Sequence, residues 1–165
     1  MTADGPARVH RVRNPHPMYS GVLVVGVGNP LRGDDGAGPA VAALAGDDPR
    51  LAGATVRRAV QLTPELAADV ANASVVVVVD ARFGDEPGAV DVARVAPAAG
   101  RPALSHHLDA GALAALTALA YGRVPPVYVV GIGASGFAAG APLSDDVRAA
   151  LPAALDAVAA IVAEC

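Results

Sequence analysis

The chain has no lysine and no tryptophan, only two phenylalanines, and a single cysteine, Cys165, at its last position. Each shortage closes a class of function. Without lysine there is no P-loop, because that motif needs an amine to reach the terminal phosphates. One thiol cannot make an internal disulfide, so the fold does not depend on an oxidising compartment. Its terminal place also argues against a nucleophilic cysteine. The net charge is −4 and the isoelectric point about 5.4. A nucleic-acid partner would normally require clustered cations, so that class is set aside. The apolar stretch from Ala149 to Ala163 contains Pro152 and Asp156 and is too short to span a bilayer. Residues 1–20 carry Arg8, Arg11 and Arg13 without the apolar centre of a signal peptide, and read as a flexible lead-in. The expectation is a cytoplasmic protein with one domain over residues 21–165.

What the chain has in quantity is alanine, valine and glycine, with 53% of residues hydrophobic. The core must therefore be assembled from many small aliphatic contacts. Val22–Val27 is a continuous aliphatic run, as expected of a strand covered on both faces. Gly36, Gly38 and Pro39 then open a helical stretch over Ala40–Ala45, ended by Gly46-Asp-Asp-Pro49. Thr55–Val60 reads as a second strand. Thr63-Pro64-Glu65 predicts a helix start with Thr63 as the cap, running to about Asn72. Five valines, Val75–Val79, make the clearest buried strand, and Asp80 follows them.

After the turn at Asp85-Glu-Pro-Gly88, Val90–Val95 alternates as a strand with one wet face. A helix is predicted from about Asp109 to Tyr121, a strand over Val127–Ile132, and a final helix capped by Ser144 and reaching Ala163. Strands alternating with helices indicate an α/β domain with a mainly parallel sheet of about five strands.

In such sheets functional groups gather beyond the carboxyl ends of the strands. That rule selects Asp34 and Asp35 in the loop after the first strand, Asp80 at the end of the valine strand, and the Ser105-His106-His107 loop. Two carboxylates and an imidazole form a mixed oxygen–nitrogen set suited to a divalent transition metal. Asp35 has an alternative role as a cap of the following helix. Asp80 is harder to dismiss, since a charge beside a dry valine core needs a partner or ligand. The stretch Gly131-Ile-Gly-Ala-Ser-Gly136 spells a dinucleotide motif, but no helix begins at once, so no nucleotide is expected.

The opening GVGNPLRGDDGAG (Gly26–Gly38), the Gln61-Leu-Thr-Pro-Glu65 segment, Val79-Asp80-Ala81, Pro87-Gly88, Ser105-His106-His107, Val130-Gly-Ile132 and Pro142-Leu-Ser144 occur in one order over residues 21–163. In that order they resemble the hydrogenase maturation proteases, which process the large subunit of nickel–iron hydrogenases. The resemblance implies a three-layer α/β/α sandwich. It also implies an endopeptidase that removes a carboxy-terminal extension from the large-subunit precursor once nickel is inserted. The positions it associates with metal are Asp35, Asp80 and His107, which selects His107 over His106. The implied metal is nickel, supplied by the substrate or bound beforehand, with zinc or another divalent ion as the alternative. Many relatives carry Glu where this chain has Asp35, and the missing methylene shortens its reach by about one bond length. The runner-up from another class is a non-catalytic nickel-binding chaperone or scaffold.

Overall fold

The structure, a computed structural model, describes residues 21–84, 86–99 and 108–165. The expected lead-in at 1–20 and both histidines of the Ser105–His107 loop lie outside the described residues. The elements in chain order are β1 (Val22–Val27), α1 (Ala37–Asp47), β2 (Thr55–Ala59), α2 (Leu66–Asn72), β3 (Val75–Phe83), β4 (Val90–Val95), α3 (Ala110–Tyr121), β5 (Val127–Ala134) and α4 (Asp145–Ala163). A single 3-10 turn, Gly33–Gly36, leads into α1.

The five strands form one sheet in the order β2-β1-β3-β5-β4. All neighbours are parallel except β4, which runs antiparallel to β5 at one edge. The run of five valines finds its reason in the centre of this sheet. Successive strand residues face opposite sides, and both sides are dry. Val75, Val77 and Val79 enter the core shared with α1 and α4, whereas Val76 and Val78 enter the core under α2 and α3. The result is the three-layer α/β/α sandwich. Among the described residues no helix is long and apolar enough to cross a membrane.

The first helix spans Ala37–Asp47, longer than the expected Ala40–Ala45, and three further differences from the sequence-based expectation bear on the site. The valine strand does not stop at Val79. It continues to Phe83, because β5 keeps pairing with it as far as Phe83 opposite Ala134. On the other side β1 ends, with Gly26 opposite Val79. Asp80 is thus inside a strand, at the point where one of its two neighbours has finished.

The second helix starts at Leu66, not after Thr63. Leu62 is held in an isolated antiparallel bridge with Leu108, which keeps the chain extended there. The Thr63 carbonyl accepts from Leu66 N–H at 3.1 Å, and its side chain bonds Glu65 instead of capping a helix. Gly133 and Ala134, which had been expected in a loop after Ile132, extend β5 by two positions.

The Gly131–Gly136 motif has a packing explanation. A side chain at Gly131 would meet Arg82 Nε at 2.5 Å and Asp91 Oδ1 at 2.6 Å, and these two residues form an ion pair across it. A side chain at Gly133 would strike the Glu86 carbonyl at 1.8 Å. These glycines admit the β4 approach and its ion pair, in a strand interior with no helix start behind them.

Because Val77 is completely buried at the centre of the sheet, Val77→Ala is expected to lower unfolding free energy by about 2 kcal/mol. Val92→Ala, on the edge strand and 48% exposed, should stay within about 0.5 kcal/mol. Urea denaturation of the two variants beside the wild type measures both. Equal midpoints would contradict the packing described.

Candidate active site

The loop between β1 and α1 is held in place by close backbone packing. A side chain on Gly26 would lie 2.2 Å from the Gly38 carbonyl, and one on Gly38 would lie 2.2 Å from Val27 O and 2.4 Å from Val79 O. This pair of glycines lets the first turn of α1 rest on the ends of β1 and β3. Gly28 has φ +131°, in the region L-residues avoid, and a side chain there would strike the Asp35 carbonyl at 1.9 Å. The loop therefore folds back on itself so that Asp35 comes against the end of β1.

The two adjacent acids of this loop point to different surroundings. Asp34 is 1% exposed. Its Oδ1 accepts from Ser144 N–H at 2.7 Å, and its Oδ2 accepts from Ser135 N–H at 2.9 Å and from the Ser135 and Ser144 hydroxyls at 3.0 Å each. Burial alone would raise its pKa, but the bonds from Ser144 and Ser135 together outweigh burial and hold the carboxyl below its usual range. Asp34 is a clasp. It ties the glycine loop to the end of β5 and to the cap residue of α4, whose Oγ accepts from Val147 N–H. Sequence reading had no signal for this clasp, because both serine partners are more than 100 positions away.

Asp35 does not cap α1. The residue at the cap position is Gly36, which offers no side chain. Instead, Asp35 Oδ2 accepts from Asn29 N–H at 3.0 Å, and the side chain sits in the wall of a cavity of about 440 Å³. Asp80 lines the same cavity. Its carboxyl is pushed up to about 6, chiefly by burial; the Ala81 N–H opposes the shift, the negative charge of Asp35 adds to it, and Arg82 opposes it least. One carboxylate from the loop after β1 and one from within β3 thus share one pocket, and the charge of Asp35 disfavours that of Asp80.

His107 lies outside the described residues, as does His106. Leu108, the next residue in the chain, is buried and lines the carboxylate cavity together with Asp109 and Ala110 at the start of α3. Among the described residues there is no group of three or more His, Cys, Asp or Glu that could hold a metal ion. The donor chemistry of the pair nevertheless fits a divalent cation. Asp35 has one oxygen committed to Asn29, among the described residues Asp80 bonds only the adjacent Ala81 N–H, and the like charge of Asp35 on Asp80 is what a cation would relieve. The rim is aromatic. Phe137 lines the cavity, and Phe83, 69% exposed, packs against it with ring centroids 5.5 Å apart. Both phenylalanines of the chain are therefore at this site, a placement with no signal in sequence spacing.

The geometry has close counterparts among solved structures. The NiFe hydrogenase maturation protease HycI from Thermococcus kodakarensis superposes with a TM-score of 0.67 at 20% identity, covering 86% of this chain and 91% of that one. The hydrogenase maturating endopeptidase HybD from E. coli gives 0.64 at 24% identity, covering 88% and 93%. A hydrogenase 2 maturation peptidase from a Thaumarchaeota archaeon gives 0.65 at 25% identity, covering 87% and 99%. This chain has the hydrogenase maturation protease fold. No protein-family profile and no curated protein sequence matches it. In this maturation-protease fold the carboxylate cavity lies at the carboxyl ends of β1 and β3, where open α/β sheets carry their ligands.

The two acids should respond to pH with opposite signs. Asp34 has a depressed folded pKa, so its stabilising effect is present above the unfolded value near 3.8 and fades as pH falls through the folded one. Asp34→Asn is expected to lose about 3 kcal/mol at pH 7, since an amide brings N–H groups against four donors. The deficit should shrink below pH 4. Asp80 has a raised folded pKa, so its ionisation costs stability above about pH 6 and nothing below about pH 4. Asp80→Asn should therefore gain about 2 kcal/mol at pH 7, and the gain should vanish near pH 4. Thermal unfolding across that range tests both signs.

Proposed function

We propose that this protein is an endopeptidase that removes the carboxy-terminal extension of a nickel–iron hydrogenase large-subunit precursor after nickel insertion. The observation that carries the reading is the meeting of Asp35 and Asp80 in one cavity of a maturation-protease fold. Structures of this fold include proteins described as maturation proteases and a maturating endopeptidase, and that activity is transferred to this chain as our proposal.

In this reading Asp35, Asp80 and His107 would hold a divalent metal; His107 is the residue before Leu108, which lines the cavity. Nickel seated in the precursor is then part of the substrate, and its capture is what admits the precursor to cleavage. A bound nickel or zinc ion supplies Lewis acidity toward the scissile carbonyl. The protein's own groups do the rest. Asn29 N–H orients Asp35, and Asp34 holds the loop against β5 and α4. Asp80, its carboxyl pushed up to about 6, is partly protonated in the mildly acidic range and would hold a cation as the carboxylate. Leu62, Leu108 and the valine ends of β1 and β3 exclude water from one side.

The test is incubation of the purified protein with nickel-loaded and nickel-free precursor, read by intact mass. Shortened product from the loaded precursor alone is the expected result. Intact precursor that still binds would instead assign a nickel-binding scaffold. Asp35→Asn, Asp80→Asn and His107→Ala should each lower processing by about 100-fold or more, with the fold kept, while His106→Ala stays within a few-fold. Undiminished processing by Asp80→Asn would remove the site assignment.

A further inference from the structure

Beside the carboxylate cavity runs a second, apolar groove of about 440 Å³, between the edge strand β2 and helix α1. Its depth comes from small residues. Pro39, Ala40 and Ala43 form the helix wall, Arg58 and Val60 form the strand wall, and Gly28 lies at its end. Gly28 and Val60 also line the carboxylate cavity, so the two spaces adjoin. Val60 is 65% exposed at this junction, an apolar side chain left uncovered. The charges of the two spaces are opposite. Asp35, Asp80 and Asp109 line the cavity, and among the described residues Arg58 is the only charged one lining the groove. Arg57 is engaged by Asp69 at 3.3 Å, whereas Arg58 makes no ion pair with any described residue.

The strand wall has a further property. β2 pairs only with β1, so among the described residues its other edge is open. The Ala59 carbonyl accepts from Gly28 N–H at 2.9 Å, facing β1. Strand alternation then turns the peptide groups of Arg58 toward the open side. A chain laid along that edge gains main-chain hydrogen bonds and sets alternate side chains into the groove.

We propose that this groove receives the extension of the precursor as an extended strand, with an aliphatic side chain against Ala40 and Ala43 and an acidic side chain, two positions away, on Arg58. The inference rests on the peptidase reading for the identity of the chain but not for the binding itself. The occupant is the extension because a single extended chain fits a narrow groove walled by small residues, whereas the folded, metal-bearing body belongs at the acidic cavity. Opposite charges at the two ends fix the direction in which the substrate lies. Residues with the same side-chain direction in a strand are two apart, which sets the spacing of the aliphatic and acidic groups.

The experiment uses the full chain and a fluorescein-labelled short peptide carrying a leucine, a glutamate two positions later and an amidated carboxy-terminus. Fluorescence anisotropy should give saturable binding, weakened about tenfold or more by Ala43→Glu and by Arg58→Glu. Both positions are exposed, and circular dichroism checks the fold. A peptide with arginine in place of glutamate should regain affinity for Arg58→Glu. In precursor processing the same variants should raise KM with kcat held. No binding by the wild type, equal binding by both variants, or equal binding of a peptide with glutamine for glutamate and a free carboxy-terminus would overturn the proposal. Peptide binding that is lost in the variants of a protein unable to cleave precursor keeps the groove and removes the peptidase reading. Cleavage indifferent to both variants does the reverse.

Discussion

A carboxylate removed from water must be met by donors, and Asp34 meets four at 2.7–3.0 Å from two serines. Around that requirement the functional end of the sheet is arranged. The same loop is stitched to its neighbour by backbone bonds from Asp34 N–H to Gly136 O, from Gly33 N–H to Ala141 O and from Gly140 N–H to Leu31 O. A loop of glycines would otherwise have many conformations open to it. Anchored at Asp34, it has one, and Asp35 is placed by the fact that its neighbour is already spoken for.

The division between the two acids follows from what surrounds each. Asp34 is surrounded by hydrogen-bond donors, and its charge is favoured in the folded state. Asp80 faces a valine core and the like charge of Asp35, which the Ala81 N–H and Arg82 do not offset, and its charge is disfavoured. Groups of the second kind lower stability unless something else is bound, and such groups concentrate at functional sites. Stability and ligand capture are thus assigned to adjacent parts of one loop and sheet edge, by solvation and donors rather than by residue type.

The layout of strands and helices was legible because its causes are local. Five valines in a row are tolerated only where both faces of a strand are dry, and the strand proved central. Ser144 with Asp145 and Asp146 announced a helix that begins there. Where a distant partner intervened, local reading missed. The bridge between Leu62 and Leu108 displaced the start of α2, and β5 drew the valine strand on past Asp80. Gly26 makes room for the Gly38 backbone, and Gly36 packs against Pro30, close approaches that residue spacing does not announce.

By itself the sequence determined the α/β class, the parallel core and the identity of Asp35 and Asp80 as acids placed beside strand ends, because apolar periodicity and chain breaks are properties of neighbouring residues. Only the tertiary structure decided which acid is a structural clasp and which faces a cavity. That choice depends on Ser135 and Ser144, on the point where β1 stops beside β3, and on the backbone approach of Gly28 to Asp35. Each is a contact between segments far apart in the chain. The ionisation of a carboxyl group depends on the donors, charges and solvent around it, and these are known only once the chain has folded.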